Sequence, residues 1–206
     1  IKESCNLLEW FKKEKSETII LFRSIPSMSV ALFVISVVAM NLLANKTIVQ
    51  NDYLALDGGI VVSWLSFMSM DMIVKRFGQK AANEVAVFGS LCNLLCCFLF
   101  YVVSIIPSSA DDYSAFNAIF GGTWFILLGS TIAFLASSFI NNFINQFIGS
   151  LFKKDPDGKL AFAARSYIST FFGQFIDNFI FAVTVFMIFA PHFWDGFHWT
   201  LLQCFS

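Results

Sequence analysis

Long apolar runs separated by short polar clusters dominate the chain, and their spacing predicts a series of membrane-spanning helices. Residues 1–24 mix Leu7, Leu8, Trp10 and Phe11 with Lys12, Lys13, Lys15 and several Glu, the pattern of a helix lying at the headgroup boundary. From Pro26 an apolar run reaches Ala44 and closes at Asn45 and Lys46, which predicts the first span. Asp57, Gly58 and Gly59 read as a turn before a second span over 60–74, which exits through Lys75, Arg76, Phe77 and Gly78. A third span is predicted over 83–106, ended by Pro107. Gly121 and Gly122 then separate a short, partly inserted piece from a long fourth span at about 123–152. The fifth is expected over about 164–190, and the apolar residues from Phe197 read as the first turns of a sixth, cut short, with both chain ends trimmed. The fold class is thus an all-α polytopic membrane bundle. An N-terminal cytoplasmic interfacial helix (1–25) leads into a transmembrane domain (26–206).

Composition narrows the class. Of 206 residues, 57% are hydrophobic and 13% charged, against about 45–50% and about 25% in soluble domains, so a soluble globular enzyme is disfavoured. The 27 Phe suit a lipid-facing coat. A net charge of −1 supplies no basic footprint for nucleic acid. Its distribution is informative: successive polar segments, taken alternately, carry twelve and one of the Lys and Arg residues. By the positive-inside rule the N-terminus, loop 75–82 and loop 153–164 are cytoplasmic, and loops 107–116 and 191–196 are outside. Cys92 and Cys96 sit four apart inside an apolar run and are read as packing, and no disulfide is expected.

Polar side chains inside an apolar helix are costly, so their positions mark candidate chemistry. On the fifth span Ser166, Thr170, Gly173, Gln174, Asp177, Phe181 and Thr184 fall within roughly 100° of arc at about 100° per residue. Asp177 is the strongest candidate for a ligand or ion path, with an interhelical tie as the alternative. The fourth span carries Ser137, Ser138, Asn141, Asn142, Asn145 and Gln146, amides that offer donors and acceptors without charge. Each alone reads equally well as glue between helices. Asn41 and Asn45 close the first span. Asp71 reads either as a site acid or as a boundary ion pair with Lys75, four residues on. Trp64, Phe67 and Trp124 offer rings to a planar ligand or plain packing, and Arg165 a site cation or a membrane anchor. One cavity between spans four and five, near the middle or the cytoplasmic half of the membrane, is expected to collect Asn141, Asn145, Gln174 and Asp177. His192, His198 and Asp195 form only a weak metal signature, Asp155 to Gly158 reads as a turn, and no ATP-binding motif occurs. Neither metal nor cofactor is called for.

The runs SMDMIVKRFGQKAANE (69–84) and RSYISTFFGQFIDNFIFAVTVF (165–186), with FINNFINQFIGSLFKK at the end of span four and the weaker NLLANK, resemble the queuosine precursor transporter family, formerly the vitamin uptake transporter family. The resemblance covers roughly 27–206. It implies a six-helix carrier that moves 7-deazaguanine compounds (queuine, preQ0 or preQ1) inward across the bacterial inner membrane. Its site would draw on Asp177, Gln174, Asn141, Asn145, Thr170, Ser169, Asn142, Asp71, Trp64, Phe67, Asn45 and Arg165. The expected partners are the small deazaguanine and the lipid bilayer, not nucleic acid, with a homodimer left open. Two other classes stay open: the substrate-capture subunit of an energy-coupling-factor importer, and an intramembrane enzyme, which no nucleophile, base or metal constellation favours.

Overall fold

The computed structural model describes residues 16–50, 55–107, 114–121, 124–152 and 158–189. Helix α1 (Ser16–Ser24) meets α2 (Ser27–Leu43) at 95°. The bend falls at Pro26, which lacks an N–H and disfavours helical backbone in the residue before it. Its carbonyl accepts the N–H groups of Ser29 and Val30 and so starts α2. Glu17 reaches Lys80 at 3.2 Å, and Thr18 donates to Glu84 at 3.3 Å, tying α1 to the helix that follows the second span.

After α2 the chain forms a small antiparallel hairpin, β1 (Thr47–Gln50) with β2 (Ala55–Asp57), which the sequence reading did not anticipate. Gly58 and Gly59 then tuck beneath the end of α2. A Cβ at Gly58 would lie 2.5 Å from the Leu43 carbonyl oxygen, and one at Gly59 would lie 2.9 Å from that of Met40. Only residues without side chains allow this approach.

Helix α3 (Ile60–Ile105) contains both the second and the third expected spans. Its two arms, 60–77 and 79–105, fold back on each other at Gly78, whose φ of 84° and ψ of 171° belong to a region essentially reserved for glycine. The partners along α5 (Trp124–Leu151) reveal the reversal. Phe67, Asp71 and Gln79 meet Phe134, Asn145 and Gln146 in ascending order, whereas Gln79, Asn83 and Asn93 meet Gln146, Asn142 and Thr131 in descending order. The expected loop at 75–82 is therefore corrected: a single glycine makes the turn, and the flanking residues stay helical. Gln146 stabilises the restart by accepting the N–H of Gln79 at 2.6 Å, one of the donors that a new helix leaves without an internal partner.

The short helix α4 (Ser114–Gly121) packs on the far end of α3 through Phe100 and Phe120, whose ring centroids are 4.9 Å apart. Helix α6 (Lys159–Phe181) lies along α5 and continues as a π-helix over Ala182–Phe189. There the Thr184 hydroxyl donates to the carbonyls of Ile180 and Phe181. The onset of the sixth expected span, with His192, Asp195 and His198, lies outside the described residues.

Phe33 and Val37 of α2, Met70, Ile73 and Val74 of the first arm, Ala81, Ala82, Val85 and Ala86 of the second, and Phe134 of α5 form one buried cluster. Small residues at the start of the second arm let the helices approach closely, as is usual between membrane helices. The outward faces carry Leu91, Leu95, Phe98, Phe143, Phe147 and Phe171, all exposed. Three helices are long and apolar enough to cross a membrane (α3, 126–151 and 159–185), and the bent pair α1 and α2 meets the same criterion together. The chain is an all-α membrane bundle.

Candidate functional site

The polar residues of α5 and α6 collect in two centres, one at the Gly78 end of the bundle and one at the hairpin end. Asp71 is the hub of the first and is fully buried. Asn145 and Asn141 donate to its Oδ1 at 2.8 and 3.2 Å, and the Ser166 hydroxyl makes a short bond to Oδ2. The hydroxyls of Ser169 and Thr170 stand at 3.5 Å. Arg165, 6% exposed, donates from Nε to Asn145 Oδ1 at 2.6 Å, so guanidinium, amide and carboxylate form a chain through the protein interior. Lys75 lies 4.7 Å over the Phe162 ring. Buried charge inside a bundle is tolerated only when it is paired and hydrogen-bonded, and this network meets that requirement across the first arm of α3, α5 and α6.

Asn142 donates to Asn83 at 2.9 Å and holds the second arm. Its own Oδ1, like that of Asn141, is buried without a hydrogen-bond partner. Gly173 separates the two centres. A Cβ there would stand 3.1 Å from Asn141 Cβ and 3.4 Å from both Asn141 Oδ1 and Phe67 Cε1, so the missing side chain lets α6 sit directly against α5.

Immediately beyond Gly173 the character changes. Gln174, Asp177, Asn178 and Phe181 of α6 face a cavity of about 260 Å³, with Asn41 and Asn45 of α2, Asp57, Ser63 of α3, and Leu127 and Ser130 of α5 on its other walls. Ser137 donates to Asp177 Oδ1 at 3.0 Å, and Ser130 makes a short bond to Asn41 Oδ1. Asn45 donates to the carbonyl of Leu42 at 3.1 Å. Asp57 accepts the Gly59 N–H at 2.7 Å. The outer edge of Asp57 meets solvent, but burial of the rest against the wall pushes its carboxyl above the ordinary range, opposed by hydrogen bonds from the Gly59 and Ile60 N–H groups.

The expected single cavity is thus divided. Gln174, Asp177 and Asn45 line it. Asn141, Asn145, Ser169, Thr170 and Arg165 serve the Asp71 network instead, and Asn142 serves the α3 contact. The reason lies in the helix itself: the α6 stripe is longer than one site, and its two halves meet different neighbours. Two aromatic expectations also change. Phe67 is buried against Phe134, at 6.5 Å between centroids, and belongs to the core. Trp64 is 58% exposed, its Nε1 donating to the Val61 carbonyl at 2.8 Å on the outer face. The side chain of Trp124 lies outside the described residues. Asp57, Ser63, Ser130 and Asn178 had escaped notice as lining groups. The available signal for Asp57 was an acid immediately before two glycines at a span start, which reads as a turn until the fold shows that the turn caps a cavity.

The cavity is small, concave and polar at a few points, which are the general properties of a small-molecule site. Its groups can accept and donate hydrogen bonds. Among families of known proteins, the one described as "Putative vitamin uptake transporter" matches residues 57–204. Among curated proteins and solved structures, none matches the chain.

Proposed function

The chain belongs to the vitamin uptake transporter family, and from that premise we propose that it imports queuosine precursors, the 7-deazaguanine bases queuine, preQ0 or preQ1, across the bacterial inner membrane. The observation that carries this reading is the hairpin-end cavity, where the Asp177 carboxylate and the amides of Asn41, Asn45, Gln174 and Asn178 surround one space. A deazaguanine presents a ring N–H and an exocyclic amine on one edge, which a carboxylate accepts as a pair, beside a ring carbonyl that an amide can donate to. Ser137 steadies Asp177 from behind.

The N-terminus lies in the cytoplasm in this reading, on the strength of the uneven Lys and Arg distribution. The hairpin end then faces outward, so the cavity is an outward vestibule, and the Asp71 network closes the cytoplasmic half. Helix α1, at 95° to α2, runs along the cytoplasmic surface. The hydroxyls and amides around Asp71 must exchange partners for the base to pass inward.

The test is a thermal-shift series on purified protein with queuine, preQ0, preQ1, guanine and biotin, followed by uptake into proteoliposomes. A ligand that binds only the folded state raises the melting point. Deazaguanines are expected to stabilise and biotin not to, and the chain alone is expected to accumulate the base. Stabilisation without uptake would instead assign the capture subunit of an energy-coupling-factor importer. Absence of stabilisation by every deazaguanine would refute the substrate assignment.

A further inference from the structure

The cavity holds a second carboxylate. Asp57 stands at its mouth, at the end of β2, and Asp177 stands on α6, so two acids wall the same space. Among the described residues lining the cavity none is basic. Lys46, next to the lining residue Asn45, is exposed, and its backbone carbonyl accepts the Gly58 N–H at 2.7 Å. A base held edge-on by Asp177 needs only one carboxylate. The other is left on the cavity wall, where an arm carried on the side of the base away from Asp177 has an acid to meet.

We propose that Asp57 is a specificity residue that selects substrates bearing an ammonium substituent, so that the cavity takes a heterocycle with a cationic arm in preference to its neutral counterpart. The proposal rests on the deazaguanine reading of this cavity and adds the charge of the arm. An acid on the wall of a confined, partly desolvated space favours a cation beside it, because the ammonium supplies the charged partner that a neutral arm cannot. The arm lies toward the hairpin end and the base lies deeper, against Asp177 and Gln174. A neutral arm leaves Asp57 without a cationic partner and loses that selectivity.

The decisive pair of ligands is the 7-aminomethyl and the 7-cyano derivative of 7-deazaguanine, which share the base and differ in the charge of a short arm. Calorimetric affinities for the parent are expected to favour the aminomethyl base by about tenfold or more. In Asp57→Asn the ratio should collapse toward one; the amide oxygen can still accept the Gly59 N–H, so the turn is retained. Equal affinities in the parent, or an unchanged ratio in Asp57→Asn, would overturn the proposal. Should neither base bind, the deazaguanine reading falls by itself, and the charge claim is decided without it. Ser63→Cys, in a chain whose native cysteines are replaced by Ser, would be treated with cationic trimethylammonium-ethyl and anionic sulfonato-ethyl methanethiosulfonates, with rates normalised to a free thiol. A cationic preference of about tenfold that disappears in Asp57→Asn would support the inference. Equal normalised rates would overturn it.

Discussion

Replacing either membrane acid by its amide separates the two centres. In Asp71→Asn one oxygen remains for Asn141 and Asn145, the other becomes a donor that faces the Ser166 hydroxyl, and Arg165 loses the carboxylate at the far end of its Asn145 link. Hydrogen bonds to charged groups contribute about 1.5–3 kcal/mol and neutral ones about 0.5–1.5, so losing charge assistance on the close bonds costs roughly 2–4 kcal/mol. The lower part of that range allows for the weaker interhelical values, about 0.6 kcal/mol on average, measured in membranes. At about 2–4 °C per kcal/mol for a chain of this size, the melting point should fall by about 4–16 °C. Asp177→Asn weakens only the Ser137 bond and should lower it by no more than about 2–4 °C. Binding should show the reverse order. The Asp177→Asn amide turns a donor toward the donors of the ligand, leaving buried groups unpaired at about 1–3 kcal/mol each and weakening affinity about tenfold or more. The assay is thermal unfolding of purified parent and both variants in detergent, with and without queuine or preQ1. The division into a structural and a binding acid fails if Asp177→Asn destabilises as much as Asp71→Asn. It also fails if Asp177→Asn keeps affinity and uptake within twofold of the parent.

Gly78→Ala should cost about 1–3 kcal/mol from backbone strain alone, since its Cβ would meet only Gln146 Oε1 at 3.9 Å; an unchanged melting point would show that the reversal does not need glycine. Arg165→Met leaves Asn145 Oδ1 without its 2.6 Å donor, an expected loss of about 1–3 kcal/mol in unfolding measurements, and a stabilised variant would contradict the network. Trp64→Leu, on the outer face, should leave ligand affinity within twofold by calorimetry, and a larger loss would return the ring to the site. For orientation, Ser109→Cys should react with an impermeant thiol reagent in intact cells while Lys159→Cys does not, and the opposite pattern would invert the topology.

Much of the frame was legible without coordinates. Apolar runs closed by Asn45 and Lys46, by Gly121 and Gly122 and by Pro107 mark helix ends, because chain length in hydrocarbon and the backbone limits of proline and glycine are local properties. The α6 stripe was legible too, since a period of about 3.6 residues places its members on one face of their own helix. Period is silent about what that face meets. The approach of α6 to α5 at Gly173 directs Ser166 and Thr170 to Asp71 while leaving Gln174 and Asp177 over the cavity. Asp71 illustrates the same limit: Lys75 is its neighbour along the chain, yet its nearest donors come from residues 70 to 95 positions away. Asp57 reads as turn chemistry in one dimension and becomes a wall of the cavity only when the hairpin folds under α2. Helix ends and faces follow from short-range sterics and solvation, whereas the pairing of faces, and with it the location of each charge, is decided by close packing between segments distant in sequence.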